Sequence, residues 1–491
     1  MASSLPRSTP ADQRVDPAAI LSFLDALDRH PGIEMHSLMV VRNGAVVAEG
    51  WWAPYSAGRP QLLYSLSKSF TSTAAAFAQA EGLLDLDDTV VSHFAEFDAD
   101  ITHPGSRAVK LRHVAAMASG HTRDMLAEAV TQDRIEPVRG FLLSPPDREP
   151  GTVFAYSQPC TYALASIIQR NAGLPLTQYL RPRLFDPLGI GPVGWHRFPP
   201  GREQGFSGLH ARTEDIAKLG LLYLQRGRWR GTQLIPEEWV AEATSQQVAN
   251  PDGVNPDWAQ GYGFQFWMSR HGYRGDGAFG QFCVILPEHQ TVIVTTAYTT
   301  DMQAMLDAMW THLLPGLGAT APDASPAQDQ LTGQLAGRLA GQLAGRLGRL
   351  ALPACQAEPA PADWAPWASA PFAVTDGAPG RQIRPALTAV GVAPGDAGWQ
   401  LSLIEAGNVL TIPVGSGAWM VSQPADRRGD TIPVAASGGW LDGDTLRAEI
   451  IFLETPHRMD ITCALPGQAA TAVWRHPPLA PSKLQHLHCP R

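Results

Sequence analysis

Lysine is nearly missing from this chain. Only four of its 37 basic side chains are lysines, at positions 68, 110, 218 and 483. Cysteine is also scarce: Cys160, Cys283, Cys355, Cys463 and Cys489 are scattered and odd in number. That argues against a disulfide framework and fits reduced cytosolic thiols. No apolar run is long enough to span a bilayer, and Met1 to Val15 has no apolar signal core. The expected setting is therefore cytoplasmic, with no membrane partner. Positive charge is not in excess: the net charge is -9, which argues against a nucleic-acid surface. HExxH, G-x-S-x-G and P-loop patterns are absent, so zinc protease, α/β-hydrolase and NTPase chemistry have no support. What remains is ample core-forming material. The chain has 491 residues with 44% hydrophobic and 17% charged, enough for two or three domains.

In a composition that shuns lysine, a retained lysine points to a place where arginine cannot work, because a buried lysine can lose its proton and an arginine cannot. Only Lys68 has a serine three residues upstream, in Ser65-Leu66-Ser67-Lys68. One helical turn separates the two, which puts them on one face. A neutral amine there can take the serine's proton, giving an activated nucleophile without histidine. The alternative is a helix start, with Ser65 as N-cap and Lys68 solvated. The small, apolar run from Phe70 to Gly82 favours a buried helix, whose N-terminal dipole stabilises developing negative charge.

Residues 16–30 read as a helix capped by Asp16. Residues 37–49 read as a hairpin around Asn43-Gly44. A helical centre follows from Ser65 to about Arg226. Strand character returns over 261–299, and a closing helix over 302–314. The order β, α, β, α predicts an α+β fold in which both ends of the domain complete one antiparallel sheet and a helical lobe is inserted between them. The leucine and glycine repeat of 331–350 reads as a linker, helical at best. From about Trp364, short strand-like runs separated by Gly/Asp/Pro turns read as an all-β barrel or sandwich. The expected division is 1–317 catalytic, 318–355 linker, 356–477 all-β, and 478–491 a disordered tail. Although the tail holds His486, His488 and Cys489, no metal site is expected there. Gly275-Asp276-Gly277-Ala278-Phe279-Gly280 fits G-x-G-x-x-G, but a second strand follows it, so it reads as a hairpin entry and not a dinucleotide loop.

A Ser/Lys pair needs a third group to relay the proton, and Tyr156, after the turn Glu149-Pro150-Gly151, is a candidate. Together these stretches resemble the serine β-lactamase and penicillin-binding-protein-like hydrolases, especially the class C-related esterases and amidases, over roughly residues 15–315. Ser65-Leu66-Ser67-Lys68 is similar to the first catalytic motif, Leu111 to Gly120 to the helix before a Ser-Gly turn, Tyr156-Ser157-Gln158 to Tyr-x-Asn, and Gly208 to Gly220 to a later helix start. The resemblance implies a β-lactamase/transpeptidase-like fold and a metal-free, cofactor-free serine hydrolase. It also implies Ser65 as acylated nucleophile, Lys68 as base, Tyr156 as relay, and an oxyanion hole from the N–H groups of Ser65 and Phe279. The substrate would be a small molecule or short peptide with an ester or amide. Two departures stand out. Gln158 replaces asparagine, and the third motif, usually Lys-Thr-Gly or His-x-Gly, is Asp276-Gly277-Ala278. Asp276 should repel a substrate carboxylate, so poor β-lactamase activity is expected. To spare Lys68 its role as base, Asp276 must point away, pair with a cation such as Arg274, or be protonated. Otherwise the site prefers cationic or neutral substrates. Trp258, Tyr262, Phe264, Phe266 and Trp267 are expected to be mostly sheet core. The competing reading is a binding protein with this fold, its chemistry disarmed.

Overall fold

Asn43 and Gly44 both take positive φ, 50° and 83°, the type I′ turn that suits a twisted hairpin. They join β1 (Ile33–Arg42) to β2 (Ala45–Trp51) in a computed structural model of the chain. The structure describes residues 4–251, 254–318, 326–356, 358, 360–375, 383–396 and 398–490. Two compact units divide them: the chain up to Gly50 with Leu63–Gly348, and Trp51–Leu62 with Arg349–Pro490.

In the first unit, the C-terminal strands β3 (Trp267–Met268), β4 (Tyr273–Gly277), β5 (Gln281–Leu286) and β6 (Thr291–Thr299) join the N-terminal hairpin. They make one sheet of order β3-β4-β5-β6-β1-β2. Its neighbouring strands in the order β3-β4-β5-β6-β1 pair antiparallel, with Val40 opposite Ile293 and Gly275 opposite Cys283. Every residue of β5 and β6 is buried, as expected for strands covered on both faces. Helices α1 (Pro17–Arg29) and α4 (Thr213–Leu224) pack against this sheet, while α2 (Ser67–Ala80) and α3 (Gln158–Ala172) pack on each other in the helical lobe. Asp16 Oδ1 accepts from Ala18 N at 2.9 Å, capping α1 as its sequence predicts. Gly220 in α4 lies where a Cβ would stand 2.6 Å from Val292 and 2.8 Å from Cys283, so glycine lets this helix lie flat on the sheet. The G-x-G-x-x-G stretch is the hairpin from β4 to β5.

The second unit is a nine-stranded sheet that nearly closes on itself. Its strands are β7 (Phe372–Val374), β8 (Leu387–Gly395), β9 (Gly398–Glu405), β10 (Asn408–Val414), β11 (Met420–Ser422), β12 (Val434–Trp440), β13 (Thr445–Phe452), β14 (Arg458–Ala464) and β15 (Ala469–His476). The order β10-β9-β8-β7-β15-β14-β13-β12-β11 brings first and last strands together through a parallel β7–β15 pair. A bridge from Gly415 to Ser437 links the outer end of β10 back to β12. Alternate residues such as Trp399, Leu401, Leu403, Leu410 and Ile412 fill the interior. Two expectations need correcting. The C-terminal stretch is no loose tail: Leu484 and Leu487 join the barrel core, and Cys489 N donates to Glu454 Oε2 at 2.7 Å. Residues 51–62, expected within the catalytic domain, belong to the barrel unit, where Leu352 N donates to Ala53 O at 2.7 Å and Leu62 N to Glu454 O at 2.9 Å. The repeat region forms a helix over Pro326–Leu347.

Candidate active site

Ser65 sits in the single 3₁₀ turn Tyr64–Leu66 that leads into α2. The residue flanking α2 is Leu66, with no side-chain cap bond, so the hydroxyl of Ser65 is not used as an N-cap. Nor is Lys68 solvated: it is 1% exposed. Its Nζ donates to Ser65 Oγ at 3.0 Å, Gln158 Oε1 at 2.7 Å and Phe206 O at 2.7 Å. Burial pulls the Lys68 amine down to about 7, against the pull of Asp124, Asp276 and Cys160. The helix-start alternative for this motif therefore fails on both residues.

Tyr156 lies in the irregular segment that leads into α3, two residues before Gln158. Lys68 Nζ lies 4.8 Å from its ring centroid, and the ring stacks on Trp267 at 5.3 Å and meets Tyr262 edge-on at 6.0 Å. Burial pushes the phenol up, aided by the charge of Asp276 and opposed by the Ser65 hydroxyl. The phenol is thus a proton donor at neutral pH. Gln158, expected to place substrate, spends its Oε1 on Lys68, and its backbone N–H is held by Asp124 Oδ1 at 2.9 Å.

Strand β4 explains its own glycines. A Cβ on Gly277 would stand 2.0 Å from Leu63 O and 3.0 Å from Leu66 N; one on Gly275 would stand 2.6 Å from Ser69 Oγ. The strand therefore lies directly against the turn that carries Ser65. Arg274 and Asp276, at alternate positions, share the other face. Arg274 Nε donates to Asp276 Oδ2 at 3.2 Å. Its guanidinium lies 4.4 Å from the Trp258 ring and 5.8 Å from that of Trp267. Of the possibilities left open for Asp276, the structure has the pair with Arg274. Burial still pushes its carboxyl up, and Arg274 is the main opposing influence. Beyond β4, Ala278 O accepts from Gln281 Nε2 at 3.0 Å. Phe279 adopts φ 69° and Tyr64 φ 48°, a conformation costly for non-glycine residues. Their rings meet edge-on at 5.3 Å, and Phe279 stacks on Tyr298 at 4.6 Å. The two turns expected to supply the oxyanion donors are thus braced against each other.

The aromatic set divides as expected. Tyr262, Phe264, Phe266 and Trp267 are buried core, while Trp258 stays partly exposed. Sequence reasoning missed Phe206, whose carbonyl holds Lys68, and Asp124, which anchors the start of α3. Neither carries a local signal, because each acts across more than 30 residues of chain. It also missed Asp257. That fully buried carboxylate accepts from Arg270, Gln303 and Trp310, and its backbone carbonyl holds Arg274 Nη1 at 3.1 Å.

Among the described residues no helix is long and apolar enough to cross a membrane. The sequence profile of the family described as Beta-lactamase matches residues 22–315. The chain is similar to a 6-aminohexanoate-dimer hydrolase of Paenarthrobacter ureafaciens, with 24% identity over 323 residues covering 58% of this chain and 80% of the relative. Among solved structures, a putative 6-aminohexanoate-dimer hydrolase from Bacillus anthracis superposes with a TM-score of 0.52 at 20% identity, covering 65% of this chain and 89% of the other. A putative β-lactamase from Bacteroides dorei superposes with a TM-score of 0.50 at 16% identity, covering 61% and 99%. At these identities the superpositions speak for the fold.

Proposed function

This chain belongs to the β-lactamase family of serine hydrolases, and on that premise we propose that it cleaves an ester or a linear amide through an acyl-enzyme on Ser65. The observation that carries the reading is the environment of the Lys68 nitrogen. A neutral amine has two N–H donors and one lone pair. Gln158 Oε1 and Phe206 O, both at 2.7 Å, take the two donors, which aims the lone pair at the Ser65 hydroxyl 3.0 Å away. Burial holds that amine near 7, so about half of it is neutral at pH 7.

In the first step Ser65 Oγ attacks the substrate carbonyl carbon and its proton passes to Lys68 Nζ. The carbonyl oxygen, now negative, is held by the N–H groups of Ser65 and Phe279. The bond to the leaving group breaks as the proton returns from Lys68 to that group by way of the Tyr156 phenol. Water then attacks the acyl carbon as Lys68 takes its proton, and that proton passes to Ser65 Oγ as the bond from Oγ to the acyl carbon breaks, which restores the free enzyme. Asp276 stands where a cation would receive a β-lactam carboxylate, so β-lactams should be poor substrates. The 6-aminohexanoate-dimer hydrolase likeness supports trying linear amides alongside esters.

The test is intact mass spectrometry after mixing with a p-nitrophenyl acyl ester, wild type against Ser65→Ala. A transient adduct of one acyl group on the wild type alone is expected. Turnover or labelling that survives in Ser65→Ala would remove Ser65 from the role. Absence of both in the wild type, with esters and linear amides alike, would favour the binding-protein reading.

A further inference from the structure

The charges around Lys68 and Tyr156 come from three segments: Lys68 on α2, Asp124 in a loop that bonds the first N–H of α3, and Arg274 and Asp276 on β4. Burial pushes the Cys160 thiol of α3 up to about 11, so it is uncharged at neutral pH. The single arginine is spent internally. Arg274 is 0% exposed, its Nη1 is held by Asp257 O, Met268 O and Ser269 Oγ, and its plane is covered by Trp258. Its Nη2 has no hydrogen-bond partner and no exposed surface. A substrate carboxylate cannot reach it. Asp276, by contrast, is 8% exposed, and its one contact with Arg274 uses Oδ2 alone. Of the two members of this ion pair, the acid is therefore the one with exposed surface.

Position supports the same conclusion. The Gly275/Gly277 face of β4 presses on the backbone of the Ser65 turn. The Arg274/Asp276 face leads through Trp267 to Tyr156 and on to Lys68, each ring or charge within 6 Å of the next. Asp276, on that face beside Arg274, is close enough to act electrostatically on both Lys68 and Tyr156. The acids that act on the Lys68 ammonium are Asp124 and Asp276, and Asp276 acts on the Tyr156 phenol as well.

We infer, resting on the hydrolase reading above, that Asp276 is a specificity residue that selects acyl substrates bearing a protonated amine and turns away those bearing a carboxylate. Beside its bonds from Arg274 and Trp258, the Asp276 carboxylate would accept a hydrogen bond from the ammonium, a charge-assisted contact. Arg274 favours the ionised form of Asp276 against the upward push of burial and holds it in place, and so acts through it.

Three p-nitrophenyl esters of matched length test this: hexanoate (neutral), 6-aminohexanoate (cationic) and adipate mono-ester (anionic). Two unit charges a few Å apart at a largely buried carboxylate predict kcat/KM for the cation to exceed that for the anion by on the order of tenfold or more. The difference should lie mainly in KM. In Arg274→Gln/Asp276→Asn, which removes both charges and leaves none unpaired, the ratio should fall to roughly the wild-type value at about 0.5 M salt or below it. If that variant does not fold, the salt dependence in the wild type serves as the second reading. In parallel, calorimetry on Ser65→Ala compares hexylammonium with hexanoate and needs no turnover. Tighter binding of hexylammonium supports Asp276 as the selector. Equal kcat/KM for the three esters, equal binding of the two ligands, or a preference for carboxylate overturns it. Failure to turn over any ester counts against the hydrolase reading, and the calorimetry still decides the charge preference.

Discussion

Replacing Gln158 by methionine keeps a side chain of similar length and removes one of the three acceptors around Lys68 Nζ. In the wild type, an amine held near 7 is about one-tenth neutral at pH 6 and about nine-tenths neutral at pH 8. If Lys68 is the base, kcat/KM should therefore rise roughly tenfold across that interval, with its acid limb near 7. Gln158 Oε1, at 2.7 Å, favours the charged form more than the neutral one, because a hydrogen bond to an ion contributes about 1.5–3 kcal/mol against about 1 kcal/mol for a neutral pair. Losing the difference, about 0.5–2 kcal/mol with a midpoint near 1.3 kcal/mol, lowers the Lys68 pKa by about one unit. The acid limb of Gln158→Met should move to about 6. At pH 6 the variant should run near half of its own plateau while the wild type runs near one-tenth. Asp124, Asp276 and Cys160 remain and oppose the move, so it should not go much further. The assay is p-nitrophenyl ester hydrolysis from pH 5 to 9 under kcat/KM conditions. An acid limb near 10 in the wild type, or one that stays or climbs in the variant, would refute the reasoning.

The same buried amine costs stability. The unfolded lysine titrates near 10.5 and the folded one near 7, so between those values the unfolded state binds more protons and stability rises with pH. Below pH 7 the full cost of burying the ammonium is present. Lys68→Met should thus abolish acylation yet stabilise the catalytic unit by up to about 4 kcal/mol at pH 7, the gain shrinking by about 2 kcal/mol at pH 9. Urea unfolding at both pH values checks this, and a pH-independent difference between the proteins would contradict it. Gly277→Ala places a methyl 2.0 Å from Leu63 O, a backbone atom that can yield only by moving the Ser65 turn. Its kcat should fall at least about tenfold, in keeping with the cost of a misplaced nucleophile. A wild-type kcat with unchanged thermal stability would show that β4 does not press on that turn.

Much of the architecture was legible because its signals are local. Asn43-Gly44 dictates the first hairpin by its backbone preferences, Asp16 caps α1 from two residues away, and alternation along residues 398–414 marks barrel strands. Strands β8 and β15 were harder to see. Leu387–Gly395 carries glycine and proline, and Ala469–His476 is alanine-rich, so both become strands only by pairing with neighbours. The docked C-terminus escaped for a similar reason. Leu484 and Leu487 form no periodic run, and only a hydrophobic interior assembled elsewhere gives them a place.

The candidate site divides along the same line. Sequence alone determined the Ser65/Lys68 spacing, the tyrosine at 156, and the exchange of cation for anion at Asp276, because these are identities and short intervals. Arg274 was also within reach, since alternate residues of a strand share a face. Only the tertiary structure decided that Lys68 is desolvated, that Gln158 and Phe206 take its two donors, and that Arg274 is fully enclosed while Asp276 keeps some exposed surface. Each of those depends on which atoms lie within about 3 Å of one another, and on how much water is excluded. Both quantities come from segments far apart in the chain, and neither is written in any one of them.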